Sequence, residues 1–144
     1  MIKGMLDSGA LPALERMVQF TAARHRVLTN NIANISNPFY KANDLDPASF
    51  QAALSEAIDR RRESVNPMNG PLDLASTSQI DFRPDGITAR AGHVTDTILR
   101  HDENNLDLER TMQRLAENTT AHNTTIELIR SEFSLLQSAI RERT

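Results

Sequence analysis

The chain contains no cysteine. Disulfide bridges, thiolate metal sites and cysteine nucleophiles are thereby excluded together. Tryptophan is also missing and aromatic residues make up only 4% of the 144 positions. Few bulky side chains are available to anchor a rigid interior, so the core is expected from aliphatic residues in helices. No segment reaches the length of a membrane span, and Met1 to Glu15 holds no apolar run long enough for a signal-peptide core. A cleaved secretion signal and direct membrane insertion are therefore not expected, whereas export by a route that reads an uncleaved terminus stays open. Charge of one sign does not accumulate either. Sixteen basic against nineteen acidic residues give a net charge of −3 spread along the chain, so nucleic acid is not an expected partner.

Recognisable catalytic patterns are equally scarce. There is no Gly-rich phosphate loop, no Gly-x-Ser-x-Gly elbow and no His-Glu-x-x-His helix. His101-Asp102-Glu103 puts three ligand types in a row, but sequence neighbours rarely converge on one ion. His93 stands alone in a Gly-containing loop, and Glu56 with Asp59 falls on a solvated helix surface. The sequence predicts no catalytic set, no metal site and no cofactor: a protein that is not an enzyme.

What is present is helical periodicity at both ends. The length suits one structural unit, which divides into an N-terminal segment 1–41, a middle segment 42–100 and a C-terminal segment 101–144. From Leu11 onward, Leu14, Val18, Thr21, His25, Leu28, Ile32 and Ile35 step by threes and fours as a heptad seam. Pro12 suits a first helical turn, Ser8 is placed to cap it, and Pro38 forces the helix to end by Asn34 to Asn37. The C-terminal seam is longer: Leu108, Met112, Leu115, Thr119, His122, Ile126, Ile129, Phe133, Leu136 and Ile140. Asp102 or Asn105 can cap it, Asp107 and Glu109 fall in its first turn, and Arg141 and Arg143 close it, all favourable to the helix dipole. The fold predicted is mainly α, with the long terminal helices pairing as an antiparallel coiled coil.

The middle segment reads differently. Asp46-Pro47 opens a short third helix with Phe50, Leu54 and Ile58 on one stripe, ending at Arg60-Arg61-Arg62. Asn66-Pro67, Asn69-Gly70-Pro71, Pro84-Asp85-Gly86 and Gly92 then punctuate a loop-rich stretch. Ile80 and Phe82 alternate before Pro84-Asp85-Gly86, and Ile87 and Ala89 after it. This pattern fits a small β-hairpin or an extended loop about equally well.

Two features of the terminal helices point to assembly. Each has a second apolar pair one heptad apart and well around from its seam, Phe20 with Val27 and Leu128 with Leu135. Two helices paired only with each other would expose all four. The middle segment could cover some of them, and neighbouring subunits could cover them more easily. Each seam also has a polar centre, Thr21 with His25 and Thr119 with His122. Either these four residues meet as a buried layer that fixes register, or they face water on a loose seam. In an antiparallel pair with the layers matched, Leu28 falls near Leu115, Ile32 near Met112 and Leu14 near Ile129. Ordering a helix residue costs about 1–2 kcal/mol of backbone entropy against about 1.5–3 kcal/mol for each large apolar side chain fully buried. The isolated pair should fray, and the terminal segments are expected to order on assembly.

The first helix ends in Asn30-Asn31-Ile32-Ala33-Asn34-Ile35-Ser36-Asn37-Pro38-Phe39-Tyr40-Lys41. Read from its chemistry, this is a helix end with amides able to reach terminal carbonyls, then a proline turn and an aromatic anchor. The stretch resembles the N-terminal signature of the flagellar axial proteins of rod and hook, matching it at Asn31, Ala33, Asn34, Pro38, Tyr40 and Lys41. It departs where that signature has Thr and Gly, with Asn37 and Phe39. Because Phe tolerates positive φ poorly, a type I turn with negative φ at Phe39 is expected. Within the family, Asn104-Asn105-Leu106-Asp107-Leu108-Glu109, Leu115-Ala116-Glu117-Asn118 and the ending from Phe133 to Ile140 are similar to the proximal-rod members.

The resemblance implies a structural subunit of the bacterial flagellar basal-body rod, polymerising through its terminal helices to transmit torque across the periplasm. It implies export by the flagellar type III apparatus without signal cleavage. It also implies, as neighbours, copies of itself, other rod proteins, a FliE-type adaptor and the export apparatus near the membrane ring. The rival reading is a non-flagellar helical adaptor or secretion chaperone that binds one partner.

Overall fold

The computed structural model describes residues 9–65, 72–83, 86–93 and 107–141. Among them are three helices, α1 (Leu11–Ala33), α2 (Pro47–Arg62) and α3 (Leu108–Arg141). The strands are short: β1 (Asn43–Asp44), β2 (Ile80–Arg83), β3 (Gly86–Ala89) and β4 (Gly92–His93). Several positions named above lie outside the described residues: Ser8, Asp102, Asn105, Arg143, the His101-Asp102-Glu103 triplet, Asn66-Pro67, Asn69-Gly70-Pro71, and the first two residues of Pro84-Asp85-Gly86.

α1 starts without a side-chain cap. Ala10 precedes it, and the Ala10 carbonyl accepts from the N–H groups of Ala13 and Leu14 while Pro12 has no N–H to satisfy. It ends at Ala33, two residues short of the seam's last member, because Asn34 leaves helical geometry as the cap. α2 has the cap its sequence announces. Asp46 accepts from the N–H groups of Ala48 and Ser49, with Pro47 at the first position and three arginines in the last turn. α3 opens with Asp107 outside the helix, its carboxylate accepting from Arg110 N–H at 3.3 Å.

The hairpin forms. β2 and β3 pair antiparallel in the register Ile80 with Ala89 and Phe82 with Ile87. That register sets the alternating apolar residues on one face, and they pack on the core. A second antiparallel pair, β1 with β4, was not signalled by the sequence, since two-residue strands carry no periodicity. At Gly92 in β4 a Cβ would lie 2.6 Å from the Gln79 side-chain nitrogen, so any larger residue there would displace that amide. The same Gln79 amide accepts from Asp46 N–H at 2.8 Å and so ties the hairpin to the start of α2.

The core corrects the expectation of an aliphatic interior. Phe20 of α1 stacks on Phe50 of α2 with ring centroids 4.2 Å apart and planes within 3°, and Phe82 of β2 joins at 6.3 Å. Such ring pairs contribute about 0.5–1.5 kcal/mol beyond the area they bury. Leu45, Leu54, Leu72, Leu74 and Ile80 close around them. Three of the six aromatic residues are gathered at one place, which composition does not reveal. α3 adds no side chain to this cluster. It packs extensively against α1 instead and reaches the middle segment at Asp44 through Arg114.

Asp46 supports a pH-dependent prediction. The Ser49 hydroxyl, 2.5 Å away, holds its carboxyl below the ordinary value of 3.8, aided by the Ala48 and Ser49 amides and the Arg24 charge against a smaller opposing effect of burial. A depressed folded-state value means that the stabilisation is complete above the ordinary carboxylate range and is lost as pH falls below it. Asp46→Ala should cost about 1 kcal/mol in urea unfolding at neutral pH. The difference from the parent chain should shrink as pH drops below 3.8.

Candidate assembly interface

The axial signature folds into a latch centred on Asn31, which is 2% exposed. Its amide nitrogen donates to the Asn43 carbonyl at 2.6 Å, and its amide oxygen accepts from Asn43 N–H at 3.1 Å and from the Tyr40 hydroxyl at 3.0 Å. One side chain thus pairs both backbone groups of Asn43, as a neighbouring strand would. Asn30 donates to the Tyr40 hydroxyl from the other side, and Asn34 donates back to the Asn30 carbonyl. Ala33 and Lys41 are exposed and take no part.

Between these anchors the chain reverses through a turn closed by Tyr40 N–H on the Asn37 carbonyl at 3.3 Å. Pro38 occupies its second position and Phe39 its third, with φ of 64°. The expected negative φ is overturned: positive φ at the third position is the type II pattern. The Asn31 contacts fix where Tyr40 and Asn43 must lie, and the left-handed residue is what brings the chain there. Phe39 is 71% exposed, so little packing offsets the strain.

Next to the latch, Arg24 of α1 grips Asp44 of β1 with two bonds of 2.8 Å, and Arg114 of α3 reaches the same carboxylate at 3.7 Å. The Arg24 and Asp44 side chains are only 10% and 15% exposed. This three-residue contact had no signal in the sequence.

Along the α1–α3 contact the structure places the N-terminal seam as follows. Leu14, Thr21 and Leu28 are buried, Val18, Ile32 and Ile35 half-buried, and His25 exposed. The Thr21 hydroxyl lies 2.8 Å from His122 Nδ1 and 2.8 Å from the Met17 carbonyl. A hydroxyl has one proton, so giving it to Met17 leaves the oxygen to accept from an Nδ1–H tautomer of His122. His25, Thr119 and His122 line one cavity of about 290 Å³ with Ala22 and Arg26.

On α3 the line most buried against α1 is not the apolar one. Thr111, Asn118 and Thr125 are buried at seven-residue spacing. Leu115, Thr119, His122, Ile126, Ile129 and Leu136 are half-buried, while Leu108, Met112, Phe133 and Ile140 are exposed. The buried line sits one residue before Met112, Thr119 and Ile126. Thr111 and Thr125 return their hydroxyls to the carbonyls of Asp107 and Ala121. Each then presents a methyl, and helices can approach closely over such small side chains. Asn118 donates across to the Thr21 carbonyl at 2.9 Å. Sequence reasoning missed this line because its residue types are polar.

The second apolar pairs divide. Phe20 is in the core and Val27 packs against it, so these two are covered by the middle segment of the same chain. Leu128 and Leu135 remain 49% and 63% exposed.

Two substitutions test the latch. Asn31→Ala removes the partners of the half-buried Asn43 N–H and carbonyl and should cost about 1–3 kcal/mol by urea unfolding. Phe39→Gly relieves the positive φ and should raise stability by about 1 kcal/mol in the same measurement.

No family model matches the chain. Curated relatives do. A flagellar basal body rod protein FlgB of Bacillus subtilis is 29% identical over 136 residues, covering 94% of this chain and 95% of the relative. FlgB proteins of two Cereibacter sphaeroides strains are each 31% identical, over 123 and 120 residues, covering 82% of this chain and 83% of each relative. Identity above 30% sustained over four-fifths of both sequences means that the chain belongs to the family of flagellar basal body rod protein FlgB, the structural rod subunits of the bacterial flagellum.

Proposed function

We propose that this rod subunit is built into the rod wall through its two terminal helices, which pair as an antiparallel coiled coil. The pairing is supported by contacts at three levels: Gly9 and Ala13 share a cavity wall with Glu132, Thr21 meets Asn118 and His122, and Asp44, beyond the end of α1, meets Arg114. Stepping one heptad either way from Thr21 and His122 sets Leu28 level with Leu115 and Leu14 level with Ile129.

One observation carries the assembly reading. α3 runs for 34 residues, yet its buried side chains are two threonines and an asparagine. Six large apolar residues of the same helix, Leu108, Met112, Leu128, Phe133, Leu135 and Ile140, are 37% to 63% exposed. Small polar side chains cannot offset about 1–2 kcal/mol of entropy per ordered residue. Neighbouring subunits supply the missing burial, so the order of α3 is coupled to polymerisation. α1 differs, because its Phe20 face is held by the core.

In this reading the polymer transmits torque across the periplasm. The axial-signature latch sets the direction in which the chain leaves α1 towards the middle segment. The neighbours are copies of the chain, other rod proteins and, near the membrane ring, a FliE-type adaptor and the export apparatus. Delivery is by flagellar type III export without signal cleavage. Among the described residues no helix is long and apolar enough to cross a membrane.

Hydrogen exchange on the purified monomer should show α1 and α2 protected and α3 exchanging fast, with α3 protected in rods. Strong protection of α3 in the monomer would favour the single-partner adaptor instead. Ile126→Asp should abolish rod assembly and swarming while the α1–α2 core still folds by circular dichroism. Leu28→Asp, at a fully buried position, should lose both.

A further inference from the structure

The cavity of about 290 Å³ between α1 and α3 carries chemistry that the assembly reading leaves unused. Ala22, His25 and Arg26 of α1 line it together with Thr119 and His122 of α3. Two of the chain's four histidines therefore meet in one small space, although they come from opposite ends of the sequence.

His122 is already oriented as a ligand. Its Nδ1 lies 2.8 Å from the Thr21 hydroxyl, whose own proton goes to the Met17 carbonyl, also at 2.8 Å. The Nδ1–H tautomer that this fixes leaves the lone pair on Nε2. A hydrogen bond that holds one ring nitrogen is the arrangement that orients a histidine whose other nitrogen binds a metal. His25 is exposed, so its ring can turn towards His122 at little cost. With Thr21 level with His122, His25 lies one turn further along α1, about 6 Å along the axis. That is the offset of two histidines, four residues apart on one helix, that share a zinc ion. Thr119 gives its proton to the Leu115 carbonyl at 2.8 Å and has only oxygen lone pairs left to offer. Arg26 opposes a cation, but it is exposed and its stem is long enough to keep the charge in water.

We propose that His25 and His122 hold a divalent transition-metal ion of the zinc type in this cavity, with water completing its coordination, so that the ion clamps α3 to α1. Neutral imidazole nitrogens suit zinc, nickel and copper, whereas magnesium and calcium require oxygen. Among the described residues no third histidine, cysteine or carboxylate joins the pair. The site is therefore open and reversible, not a closed structural centre. A ligand that binds only when both helices are in place stabilises the docked arrangement. The metal would thus supply to the free subunit part of the order that α3 otherwise takes from its neighbours. The inference concerns the free subunit and does not rest on the rod reading.

Zinc titrated calorimetrically into the untagged, chelator-stripped full chain should bind at one ion per chain. His25→Ala and His122→Gln should each weaken binding by about tenfold or more. The glutamine can still donate to the Thr21 hydroxyl, so its loss of binding is not a loss of packing. His93→Ala and His101→Ala should leave binding unchanged, and Arg26→Gln should tighten it. With copper(II) in place of zinc, electron paramagnetic resonance should show splitting from two imidazole nitrogens. No binding at millimolar zinc, binding that survives His25→Ala, or binding lost with His93 or His101 instead overturns the site. Zinc should also slow amide exchange in α3 from Leu115 to Ile126 in the monomer, and His25→Ala should remove that slowing. Zinc bound with no change in α3 exchange overturns the clamp.

Discussion

The Asp44 carboxylate holds together the parts of this molecule that sequence distance keeps apart. It is gripped in a bidentate pair by Arg24 of α1 and approached by Arg114 of α3, so one buried group connects both long helices to β1. Its immediate successors extend that role. Asp44 also accepts from Leu45 N–H, Leu45 is fully buried in the core, and Asp46 caps α2. Three consecutive residues therefore fix the ion pair, the core and the direction of the next helix. A charge with this little solvent access is tolerated only with its hydrogen bonds complete. Here two guanidinium bonds and one backbone amide complete them.

α1 is the element on which the two halves of the architecture depend, because adjacent residues serve opposite sides. Phe20 faces the aromatic core, and Thr21 faces α3. The aromatic stack makes the first side firm, while hydroxyl and amide contacts make the second close but shallow. The firmly packed part among the described residues is thus α1 with α2 and the β2–β3 pair, and α3 is a long surface element laid along α1. This division suits a subunit that must be stable enough to be specific and still leave apolar surface for its neighbours.

Much of this was legible in the sequence. Heptad spacing marked α1 and α3, Asp46-Pro47 and the arginine run marked α2, and alternation around Pro84-Asp85-Gly86 was compatible with the hairpin. Hydrophobic periodicity shows that a line will be covered, but not by which neighbour. Phe20 and Val27 are covered from within, and the apolar rows of α3 lie to either side of the polar line that meets α1. Thr111 and Thr125 read as polar letters, yet by bonding their own helix they behave as small apolar side chains. The Arg24–Asp44 contact had no local pattern to disclose it. At Phe39 residue preference and chain geometry disagreed, and the hydrogen bonds of Asn31 decided for geometry.

The shallow seating of α3 also has a mechanical meaning. A helix attached along its length by small contacts, and peeled away from its last turn, is loaded like a zipper: the contacts break one turn after another, each under low force. The stacked rings between α1 and α2 share any load and give way together. Peeling α3 from α1 therefore takes little work, whereas the aromatic core sets the force at which the rest must yield.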